Sequence, residues 1–140
     1  KISRFYSLMK PKEQNTISKK YNLRIIEFRI ILHNLTLARN ICAHDEKLYD
    51  IKMKNRISST TYHKKLKIAN KNGNYQYATR DLFSIVIALK LLLEEEQFNR
   101  FYTDIIRNIE KLKKELHTIS IYEVLYKMGF PKNYKRLLKL

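Results

Sequence analysis

The run Ala38-Arg39-Asn40-Ile41-Cys42-Ala43-His44 holds an arginine, an amide and an imidazole within a few residues of one another. Cleaving an RNA phosphodiester without a metal takes three groups. A base removes the 2′-hydroxyl proton, an acid protonates the leaving 5′-oxygen, and a cation holds the charge of the phosphorane. Histidine serves the first two roles near neutral pH, and the planar fork of arginine grips phosphate. Arg39, Asn40 and His44 are therefore the candidate catalytic residues. On a helix Asn40 lies one turn before His44 and is placed to orient its imidazole. Arg39, five residues from His44, is turned away by roughly 140° at ~100° per residue. Either the helix distorts there, or Arg39 and His44 meet across a symmetric interface. One chain offers a single well-placed histidine where acid and base call for two, and a twofold dimer supplies both, because an isologous interface repeats every group.

The element that must carry these groups is a helix from Arg24 to about His44. Phe28, Ile31, Leu35, Ala38 and Cys42 form an apolar seam along it, and Arg29, His33, Thr36, Asn40 and His44 follow one another at spacings of three and four on the opposite side. Around it the sequence predicts a short helix over Lys1 to Lys10, a linker at Pro11 to Asn15, and a short polar helix from Thr16 to Asn22. An apolar central helix follows over Leu82 to Leu93, favoured at its start by Thr79 and Asp81. A third long helix buries Phe98, Phe101, Tyr102, Ile105, Ile109, Leu112 and Leu116 and pairs Glu110 with Lys114 on its wet side. A last helix begins at the Ser120/Glu123 capping box and ends at Gly129 and Pro131. Two glycines and two prolines in 140 residues leave little for β-turns, so the fold class is all-α, a bundle of about four main helices in one domain spanning 1–140. The absence of a starting methionine or signal peptide reads as the C-terminal part of a longer protein.

The formal charge is +16, from 29 Lys and Arg against 13 Asp and Glu. Such a field draws polyanions, nucleic acid first. No apolar stretch is long enough to span a bilayer, and no helix pairs a lysine-rich face with a strong aromatic one, which argues against a membrane partner. A lone Cys42 forms no internal disulfide and fits a cytoplasmic setting. Residues 51–80 hold eight Lys and Arg, no acid, and several turn formers, and read as a basic connector with a short helix near Tyr62 to Ala69. Lys47, Lys52, Lys54, Arg56, Lys64, Lys65 and Lys67, with Arg29 and His33 from the polar stripe, are the expected RNA contacts, and Tyr62, Tyr75 and Tyr77 are placed to stack on unpaired bases.

Plainer readings stand beside these. An arginine and a histidine near a helix C-terminus oppose its dipole and cap its carbonyls, and a mid-helix asparagine commonly faces solvent. His33 lies about three turns from His44 at ~1.5 Å per residue, too far for the same phosphate. Cys42 on the seam reads as packing, His63 and His117 receive no role, and Asp45, Glu46 and Asp50 beside His44 make an unconvincing metal set without further carboxylates. No metal and no cofactor is expected.

Arg39 to His44 resembles the Arg-x4-6-His motif of the HEPN superfamily of ribonucleases, and its continuation through Leu48 and Tyr49, with Phe5-Tyr6 upstream and Met128-Gly129-Phe130-Pro131 near the end, is similar to the bacterial Abi-like (abortive-infection) proteins. The resemblance implies a dimerising HEPN-type helical bundle and a metal-independent endoribonuclease leaving a 2′,3′-cyclic phosphate and a 5′-hydroxyl. It also implies a toxin-like role in stopping phage multiplication, with a homodimer as the active form and an antitoxin protein or RNA as a possible restraint. The other expectation open to the sequence is a catalytically silent module that binds RNA or a partner through the same pocket.

Overall fold

The computed structural model describes residues 2–44 and 46–140. Its elements are α1 (Ile2–Leu8), α2 (Pro11–Lys19), α3 (Ile25–Ala43), α4 (Thr61–Lys65), a two-stranded hairpin β1 (Asn70–Lys71) and β2 (Asn74–Tyr75), α5 (Leu82–Leu92), α6 (Glu95–Glu115), α7 (Ile121–Lys127) and a closing 3-10 helix (Tyr134–Lys139). The all-α expectation holds except for that hairpin. The three long helices fall where the apolar periodicity puts them.

α5 is the centre because it has no polar face to give to water: Phe83 through Ala88 are all buried. Asp81 caps its N-terminus, the side chain accepting from Ser84 N–H at 3.1 Å. α3 and α6 pack on α5, and α7 and the 3-10 helix pack on α6. On α6 the expected stripe is buried at Phe98, Tyr102 and Ile109 but emerges at Leu112, which is exposed. Glu110 does not pair along the helix with Lys114. It meets Lys135 of the 3-10 helix at 2.6 Å instead.

The segment Pro11 to Asn15 is not a linker but the first turn of α2. Pro11 sits at its first position, where the missing N–H is an orphan in any helix, and Glu13 accepts the N–H of Lys10 at 3.1 Å. α1 and α2 clamp the N-terminal half of α3. The Tyr6 hydroxyl donates to the Gln14 carbonyl at 2.8 Å, the Gln14 amide returns a bond to the Tyr6 carbonyl at 2.8 Å, and Phe28 lies between Tyr6 and a stacked Tyr21.

The basic connector is also more than a connector. Met53, Ile57, Leu66, Ile68 and Ala78 are buried, so apolar residues scattered among lysines anchor it to the core while the lysine heads stay in water. Met53 and Ile57 donate backbone N–H groups to the carbonyls of Arg80 and Thr79 at 2.6 and 2.8 Å, and the Asn34 side chain, fully buried on α3, donates to the Asn55 carbonyl at 3.0 Å. His63, to which the sequence assigned nothing, is 0% exposed in α4. Its ring lies 2.9 Å from the Thr60 hydroxyl at Nδ1 and 2.9 Å from the Ala78 carbonyl at Nε2, and it stacks on Tyr75. Burial pushes its pKa below the ordinary histidine value.

Candidate functional site

The two halves of α3 live in different surroundings. Its first half is held by α1 and α2, whereas its second half rests on α5 and on the returning segment after it, where Ala38 packs with Met53 and Ile85 and is flanked by Leu48 and Ile51. The last turn therefore projects. Arg39, Cys42, Ala43 and His44 are exposed, and Asn40 and Ile41 are half-buried. Cys42, read from the sequence as buried packing, is an exposed free thiol, because the seam outruns the α5 surface available to cover it.

Helical bonding is unbroken from Ile25 to Ala43, and the His44 N–H still reaches the Asn40 carbonyl at 3.1 Å as the helix closes. The helix thus does not distort between Arg39 and His44. Arg39 lines an apolar groove of about 530 Å³ between α3 and α6, floored by Leu82, Ile85, Val86 and Leu89 of α5 and bounded at one end by Met128 and Phe130. Among the described residues that line this groove, Arg39 carries the only charge. His44 is not among them. It is the C-terminal cap residue of α3 and is exposed, and among the described residues the side chains of Arg39, Asn40 and His44 make no hydrogen bonds to one another. Within one chain the sequence-predicted trio shares a helix end without forming a joined cluster.

The expected RNA contacts divide by what already holds them. Lys47, Lys52, Lys54, Lys64, Lys65 and Lys67 are exposed, as is His33. Arg56 is exposed but engaged, donating to the Thr79 hydroxyl and the Tyr75 carbonyl at 3.2 Å each, so it ties the connector to the hairpin. Arg29 is half-buried with a guanidinium 3.4 Å from the Gln14 side chain. Of the tyrosines, Tyr75 spends a face on His63 and Tyr62 is half-buried, while Tyr77 packs 6.4 Å from Tyr126 of α7.

Among the described residues no group of three or more His, Cys, Asp or Glu side chains converges to hold a metal ion. Asp45, considered with Glu46 and Asp50 for that role, lies outside the described residues. None of the described helices is long and apolar enough to cross a membrane.

Residues 1–50 match the model of the family described as Abi-like protein. The matched stretch takes in α1, α2, the whole of α3 and the Arg39 to His44 run, and leaves out Met128 to Pro131. No curated protein and no solved structure matches the chain.

Proposed function

We propose that the chain is a metal-independent endoribonuclease of HEPN type that works as a homodimer in the cytoplasm and acts in abortive infection. The observation that carries this reading is the projecting end of α3. It presents Arg39 on the wall of an apolar groove and His44 at the helix end, both exposed and with nothing else of the described chain bonded to their side chains. The family match over the same helix supports it. A second copy laid over the groove hides Leu112 and Cys42, both exposed in one chain, and brings two helix ends together about the twofold axis.

In that cleft His44 of one protomer takes the 2′-hydroxyl proton, and the freed oxygen attacks phosphorus. The partner's His44 gives a proton to the departing 5′-oxygen. The two Arg39 guanidiniums hold the phosphorane charge, and the products are a 2′,3′-cyclic phosphate and a 5′-hydroxyl. Asn40, one turn before His44, is the positioning residue for the imidazole. The exposed lysines of the 47–67 stretch steer and hold the strand.

The test is incubation of RNA with the chain in EDTA. Cleavage that survives chelation, leaves cyclic phosphate ends and vanishes in Arg39→Ala and His44→Ala chains is the expected result. Bound but intact RNA overturns the nuclease reading in favour of a silent RNA-binding module.

A further inference from the structure

α7 is a short helix with two unlike sides. Ile121 and Leu125 are buried against the core, while Tyr122 and Tyr126, one turn apart, are 51% and 74% exposed. Single exposed aromatic residues are ordinary. Here they border a cavity of about 470 Å³, within the roughly 300–1,000 Å³ range of small-ligand sites. Tyr77 stands on its other wall, and its described lining includes Lys67 and Lys132 but no carboxylate. Glu123, between the two tyrosines in sequence, does not line it, and the neighbouring Glu110 is held by Lys135. The walls are fastened together, because the Asn133 side chain donates to the Leu66 carbonyl at 3.1 Å.

We infer that this cleft is a base-stacking site for single-stranded RNA, with Tyr126 and Tyr122 offering ring faces to unpaired bases and Lys67 and Lys132 holding the adjoining phosphates. The inference rests on RNA being the partner of this chain. Aromatic faces joined to cations without carboxylates select a flexible polyanion whose bases are free to splay out, which excludes duplex RNA with its bases paired and stacked. Lys67 follows α4 in the left-handed backbone region, with φ of 54°, which glycine fills without strain, so Lys67→Gly removes the charge without straining the turn. Phe130 lines both this cleft and the groove of Arg39, so the two share a wall.

Binding is measured by fluorescence anisotropy with a labelled unstructured RNA and with a duplex RNA of equal length, in the His44→Ala background so that nothing is cut. Tyr126→Ala is expected to weaken single-strand binding by about 5- to 150-fold and to leave duplex binding and melting temperature unchanged, while Tyr126→Phe binds as the parent does. Lys132→Ala is expected to reduce the slope of log affinity against log salt by about 0.7. Lys67→Gly lowers that slope too, without lowering the melting temperature. Undiminished single-strand binding by Tyr126→Ala, equal losses for both RNAs, or no single-strand binding by the parent overturns the inference. RNA that is bound through Tyr126 but never cut by the wild-type chain refutes the nuclease reading and supports this one.

Discussion

Gly129 is the position where one methyl group should cost the most. It follows α7 with φ of 79°, and a Cβ built there would fall inside the contact distance of all three atoms of the Asp81 carboxylate. That carboxylate is 1% exposed and accepts N–H bonds from Ala78 at 2.8 Å and Ser84 at 3.1 Å. In Gly129→Ala the left-handed backbone alone costs about 1–2 kcal/mol, and a displaced carboxylate strands buried donors at about 1–3 kcal/mol each. With one of the two bonds surviving in rotated geometry, the total is about 3–4 kcal/mol, a large share of the roughly 5–15 kcal/mol that holds a domain folded. At about 3 °C per kcal/mol the melting point should fall by about 10 °C. Gly73 supplies the matched control: its φ is 80°, yet nothing lies within 4 Å of an added Cβ, so Gly73→Ala should lose only the backbone part. Urea unfolding of both variants, and of Gly129→Ala in an Asp81→Ala background where the obstacle is gone, reads the difference directly. Equal losses at the two glycines, or an undiminished loss once Asp81 is removed, would refute the reasoning. The effect reaches the groove as well, because Met128 and Phe130 on either side of Gly129 line it.

Other expectations concern the proposed dimer and its charge. Equal amounts of wild-type and His44→Ala chains, allowed to exchange, should retain about a quarter of the ribonuclease activity if each cleft needs both imidazoles; a loss proportional to dilution argues for independent sites. Leu112→Glu places a charge on a 37% exposed groove residue, and should yield a folded monomer in sedimentation with cleavage lost, while a dimer that persists removes the groove from the interface. His63 is held neutral by burial, its pKa below the ordinary value. The unfolded chain therefore binds the extra proton first as the pH falls, so stability is complete above about pH 6.5 and declines below it. His63→Gln should flatten that decline in thermal melts taken across the range, and an unchanged slope would assign it to other groups.

The long helices were legible because their periodicity is a property of one face at a time. α3, α5 and α6 each end within a residue or two of where the apolar pattern stops, and Asp81 and Gly129 act as the cap and stop they resemble. What misled was composition read as a substitute for pattern. Pro11 looks like a breaker and is instead a helix starter, since proline is tolerated wherever the N–H has no partner to lose. Residues 51–80 look like a solvated loop because lysine dominates their average, yet Met53, Ile57, Leu66 and Ile68 are spaced to reach the core one at a time. His63 was invisible for the same reason. Its partners, the Ala78 carbonyl and the Tyr75 ring, lie more than ten residues on in sequence, and no local rule connects them.

The proposed catalytic trio is the complementary case: its residue types are plain in the sequence, and within one chain their side chains do not come together. An unbroken helix carries Arg39 toward the groove and His44 to the tip, so the proposed phosphate grip and proton carrier are not joined within one chain. Natural selection for a structural arginine and histidine at a helix end has no need of an uncovered apolar groove beside them, since capping carbonyls is a matter for the helix alone. A shared cleft needs that groove, because only burial of a second chain against it fixes the two helix ends at catalytic distance. On the proposed reading the same groove would link dissociation to silence. Dilution below the dimer's dissociation constant should abolish cleavage while single-strand binding at α7 persists, a separation that a one-chain active site does not produce.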